Sequence, residues 1–99
     1  MKASSSGRTQ ILLQARHWPA VLPFLGAGDR LIVGGPALLA VLAEPDLPAL
    51  MQRHGLEMPA VLQADCEAYG ITPGADMPVL DDQAWVQTVA ASDQGVIQW

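Results

Sequence analysis

Few residues in this chain carry reactive chemistry, and their placement limits what they can do. "LQADCEAYG" (62–70) holds Cys66, the single cysteine. It follows an apolar run where a helix begins, and unpaired N–H groups at a helix start favour a thiolate. Asp65 and Glu67 flank it, and their charges oppose that thiolate. Free cysteine is also among the most buried residue types. Two readings stand side by side: a sulfur-carrying nucleophile, and a small core residue. "VLDDQAW" sets Asp81 and Asp82 at the end of an apolar run. Paired aspartates can hold Mg²⁺, but no third acidic cluster or partner lysine accompanies them. A helix N-cap with a favourable first-turn charge accounts for them better. His17 and His54 lack ligand spacing. His17 follows the first apolar run and can line a crevice, whereas His54 suits a helix C-terminus. No metal site and no cofactor is expected.

The elements that must position these groups follow from short apolar runs alternating with helix-like patches. "ILL" (11–13), "RLIV" (30–33), "PAVL" (59–62), "PVL" (78–80) and "VIQW" (96–99) read as strands buried on both faces, which lose the two-residue alternation. A short or kinked helix is expected near Pro19–Leu25, where Pro23 interrupts the pattern. "GGPALLAVL" opens a second helix, with Pro36 at a first-turn position. Asp46 then caps a further stretch that Gly55 ends. Asp65 is expected to cap a brief third helix that stops at Gly70. In the fourth helix Trp85, Val86, Val89 and Ala90 fall at helical spacing, with Trp85 read as core. The alternation predicts a three-layer α/β/α sandwich with a mostly parallel sheet of about five strands. The functional crevice of such a sheet lies beyond the carboxyl ends of its strands. "IVGGPALL" and "GAG" (26–28) are turns, since neither has the spacing or context of a phosphate loop.

The totals narrow the function. The 99 residues make one domain, read as 9–99 behind a flexible leader at 1–8, "MKASSSGR". Hydrophobic residues are 51% and charged residues 15%, a low charge fraction for a surface of this size. Part of that surface is expected to be covered by other subunits. Trp18 and Trp99 are the interface candidates, because tryptophan is enriched at binding hot spots. The net charge is −5, and from Thr9 onward three basic residues stand against ten acidic ones. Direct nucleic-acid binding is not expected from so acidic a body. Nor is a disulfide framework, a signal peptide or a membrane span.

The carboxyl-terminal half resembles a known family. "LQADCEAYGI" followed by "VLDDQAWVQTVAASDQGVIQW" is similar to the TusB/DsrH family of sulfur-relay subunits, within the DsrE/DsrF/DsrH-like group. The matches are Asp65, Ala68 and Gly70, then Asp81 or Asp82 with Trp85 and Val86, then Gln98 and Trp99. "GDRLIVGGPALLAVL" fits the second strand and helix of that family. The resemblance implies a DsrE-like fold and a cytoplasmic hetero-hexamer with TusC/DsrF-like and TusD/DsrE-like subunits. In such assemblies a persulfide travels on a cysteine of the TusD/DsrE-like partner, toward tRNA 2-thiouridine or toward sulfur oxidation. Departures are also visible. "GGP" replaces the usual "E-D-G", and the loop after the first strand is short. Cys66 stands where the family has an apolar leucine. Val21 or Leu22 takes the place of the cysteine some DsrH members carry in the first helix. Leu62 takes the place of the sister subunit's active cysteine. The resemblance therefore implies a mainly structural subunit. Two alternatives remain: a sulfurtransferase-type subunit in which Cys66 bears a persulfide, and a homo-oligomer that binds a small ligand through His17 and Trp18.

Overall fold

The computed structural model describes residues 8–26, 28–92 and 95–99. Most of the expected leader, residues 1–7, lies outside the described residues. Five strands form one sheet in the order β4-β3-β2-β1-β5. They are β1 (Thr9–Leu12), β2 (Arg30–Val33), β3 (Ala60–Leu62), β4 (Val79–Leu80) and β5 (Val96–Gln98). Every neighbouring pair is parallel, so the fold is α/β, as the alternation of runs predicts.

Strand register assigns the two faces. Paired residues of a parallel ladder point to the same side, and successive residues alternate. Thr9 pairs with Arg30 and Leu12 with Val33, Val33 with Val61, and Val61 with Val79. One face therefore carries Gln10, Leu12, Leu31, Val33, Val61 and Val79. The other carries Thr9, Ile11, Arg30, Ile32, Ala60 and Leu80.

The first face holds the main core. Leu12, Leu31, Val33 and Val61 pack with Val21, Leu22, Leu38, Val41 and Met51 in one apolar cluster. Two helices, α1 (Ala37–Leu42) and α2 (Leu47–Arg53), supply the last three of these. The region expected to form a poor first helix is two 3-10 turns, Ala15–His17 and Leu22–Phe24. Pro23 sits in the second, where it lacks the N–H a longer helix would use. Asp46 precedes α2 but its side chain makes no cap hydrogen bond. It adopts a left-handed backbone, φ 53°, which aspartate tolerates better than most residues. Pro48 in the first turn of α2 removes one of the orphan N–H groups that a cap would satisfy.

The chain steps from β1 through β4 in one direction, then returns past β1 to place β5. Right-handed crossovers put the first three connections on one face and the last on the other. The last connection is α4 (Asp82–Ala90). In agreement, Ala84, Gln87 and Thr88 of α4 face Thr9 and Arg30 across a cavity of about 310 Å³. No residue of α4 is fully buried. Trp85 is half-buried and stands outside the main core, and Val86 and Ala90 are exposed. The half-buried set is Ala84, Trp85, Thr88 and Val89, so the helix is rotated from the stripe that its large apolar residues suggest. No helix among the described residues is long and apolar enough to cross a membrane.

Candidate functional site

The carboxyl ends of β1, β2 and β3 meet at a point that Asp65 closes. β3 runs directly into α3 (Gln63–Ala68), so Asp65 lies inside the first turn and is not the N-cap expected from sequence. Leu62 holds the cap position, with no side-chain hydrogen bond. The Asp65 carboxylate turns toward β2 and accepts the Gly35 N–H at 2.8 Å. Gly34 makes this approach possible, because a Cβ there would stand 2.6 Å from Asp65 Oδ2 and 2.8 Å from Leu62 Cδ1. Gly35 has φ +57°, a conformation that strains any side chain. A turn that in other parallel folds can receive an anion is here filled by the chain's own carboxylate.

Cys66 sits behind this closure. It is 3% exposed and belongs to the main core. Burial pushes its thiol pKa up, and the charges of Asp65 and Glu67 push it further. All three influences favour the neutral thiol, so the residue lacks both access and nucleophilic form.

Of the other residues singled out by sequence, His17 and Trp99 meet, and the rest fall in separate places. Asp81 caps α4 through Oδ1, which accepts the Ala84 N–H at 2.8 Å. Asp82 lies in the first turn, where a negative charge complements the helix dipole. His54 closes the C-terminus of α2. Among the described residues no group of three or more His, Cys, Asp or Glu side chains is placed to hold a metal ion. His17 meets the Trp99 ring edge-on at 5.9 Å, and Phe24 lies 5.3 Å from the same ring. The Trp18 indole N–H donates to Glu44 Oε1 at 3.1 Å. Trp18 and Trp99 are both half-buried against the chain's own core, so only part of each ring is left for a partner.

A polar network that sequence reading missed fixes the carboxyl terminus. Gln10 is fully buried on β1. Its Oε1 accepts the Trp99 indole N–H at 2.8 Å. Its Nε2 donates to Phe24 O at 3.1 Å and to Asp29 Oδ2 at 3.0 Å. Asp29 also accepts the Arg8 N–H at 2.7 Å and the Gly26 N–H at 2.8 Å. Burial opposes the Asp29 charge, but the hydrogen bonds from Gly26, Arg8 and Gln10 and the nearby Arg8 charge outweigh it and lower its pKa. The signal was present in "TQILL": a glutamine in a strand buried on both faces needs partners for its amide. The identity of those partners required the fold. Comparisons with protein-family models, with curated proteins and with solved structures find no match for this chain.

Proposed function

We propose that this chain is a non-catalytic, TusB/DsrH-like subunit of a cytoplasmic sulfur-relay complex, supporting persulfide transfer by a TusD/DsrE-like partner. One observation carries the non-catalytic part: Cys66 is buried at 3% exposure with its thiolate disfavoured. At the ends of β2 and β3, where a parallel sheet can keep its chemistry, the turn is occupied by the Asp65 carboxylate bonded to the Gly35 N–H. The relay part rests on the sequence resemblance at Asp65, Ala68, Gly70, Trp85, Val86, Gln98 and Trp99. Large apolar side chains left exposed, such as Phe24 at 65% and Leu39 at 54%, fit a chain that meets related subunits.

The test is the mass of the native complex purified gently from its own host, with each subunit weighed. Two related α/β subunits co-purifying, and a persulfide on one of them, are expected. A homo-oligomer with the persulfide on this chain would move the chemistry to Cys66 and reverse the proposal. Alkylation of the folded chain by iodoacetamide gives a second readout. Labelling is expected to be slow and to accelerate on denaturation, as for a buried neutral thiol.

A further inference from the structure

Among the described residues no strand pairs with the outer edge of β4, and that edge lies between two groups of carboxylates. β4 is the terminal strand of the sheet. Pro78 O accepts the Val61 N–H at 2.9 Å, so position 78 faces β3. The alternation of a parallel ladder then turns the N–H and C=O of Val79 outward. The Val79 side chain is 47% exposed. An edge of this kind is a template for another strand unless charge or cover blocks it.

The surroundings decide what fits. Before β4, an apolar groove of about 390 Å³ is formed by Met51, Leu56, Met58 and Pro78, with Glu57 and Asp76 at its rim. After β4, a second cavity of about 240 Å³ is lined by Gln63, Ala64, Glu67, Asp81 and Asp82. Among the described residues no Lys or Arg lines either one. Beyond His54 the sequence contains seven carboxylates and no Lys, Arg or His. A second copy of the chain would set these carboxylates against each other. The opposite edge, β5 (Val96–Gln98), has no acidic residue in its span.

We infer that the β4 edge is a docking strand for an extended basic segment of a partner protein, which pairs with Val79 and places cations against the two acidic cavities. The backbone supplies the pairing and the carboxylates supply the choice of partner. Asp76 lies in the turn before the two-residue strand and Asp82 opens α4 just after it, so the carboxylates flank Val79 on both sides and cations are wanted at both ends of the docked segment. This inference rests on the edge itself and holds or fails independently of the sulfur-relay reading.

The experiment measures binding of the labelled peptide Lys-Val-Thr-Val-Thr-Val-Lys to the full chain by fluorescence anisotropy at low and at physiological salt. The same peptide with Glu for Lys is the first control. A version N-methylated at alternate residues, which cannot pair as a strand, is the second. The Lys peptide is expected to bind, to weaken with salt, and to lose about tenfold or more in affinity on N-methylation. Val79→Pro removes the outward N–H together with the exposed valine side chain, a change that edge strands accept, and is expected to weaken binding similarly. Asp76→Asn with Glu67→Gln and Asp82→Asn is expected to flatten the salt dependence. Equal binding of the Lys and N-methylated peptides would reduce the effect to diffuse attraction and overturn the inference. Absence of binding to the folded chain would overturn it outright. A dimer of the free chain that Val79→Pro abolishes would give the edge to a second copy, which also overturns it.

Discussion

The two faces of the sheet are built from the same five strands but covered differently. The face with Leu12, Leu31, Val33 and Val61 lies under α1, α2 and two 3-10 turns, and its cluster includes fully buried Leu38, Val41 and Met51. The face with Ile11, Ile32 and Ala60 lies under α4, which contributes half-buried Ala84, Trp85, Thr88 and Val89 and no fully buried residue. A single helix about two and a half turns long cannot cover what two helices and two turns cover. The polar network also belongs to the first face, where Gln10 anchors Trp99. Stability is therefore expected to be concentrated on one side of the sheet. The α4 side is left with apolar residues turned outward, Val86 at 61% exposure among them.

That asymmetry can be broken most directly by truncation. Leu38→Ala removes a fully buried side chain from the first face and is expected to cost about 2–5 kcal/mol in urea unfolding. A cost below about 1 kcal/mol would mean that this face is not the dominant core. Gln10→Leu keeps the volume but strips the Trp99 indole N–H of its acceptor and Asp29 of a donor. A loss of about 1–3 kcal/mol is expected, together with a change in tryptophan fluorescence. Asp29 sharpens the same point through pH. Its folded pKa is lowered, so the folded state holds its proton less tightly than the unfolded state. The stabilisation it gives is fully present above the ordinary aspartate range and fades as pH falls through the lowered value. Asp29→Asn is expected to flatten that part of the acid limb in stability measured against pH, and an unchanged limb would remove Asp29 from the account. On the α4 side Val86→Ser is expected to stay within about 0.5 kcal/mol of the parent. If it matched Leu38→Ala, the distinction between the faces would collapse.

Much of the scaffold was legible in the chain. The five apolar runs, with Gly and Pro between them, mark the strands to within a residue or two, but the expected burial on both faces holds only for the inner strands β1, β2 and β3, because β4 and β5 lie at the sheet edges and are exposed or half-buried. A cap at Asp81 or Asp82 was readable because capping is local, and the structure chooses Asp81, whose carboxylate and the Ala84 N–H are three residues apart. Asp65 shows where locality ends. Nothing in "LQADCEAYG" says that its carboxylate will leave its own helix for the Gly35 N–H, thirty positions away.

The sequence by itself determined an α/β fold of five strands, an acidic body and a lone cysteine with carboxylates on either side. Those properties are set by composition and by contacts between near neighbours. Only the tertiary structure decided that Cys66 is sealed in the core, that Gln10 joins Asp29 to Trp99, that α4 turns Val86 outward, and that β4 is an edge. Each of these depends on which strands lie side by side and on the angle at which a helix meets them, which are contacts between residues far apart in the chain.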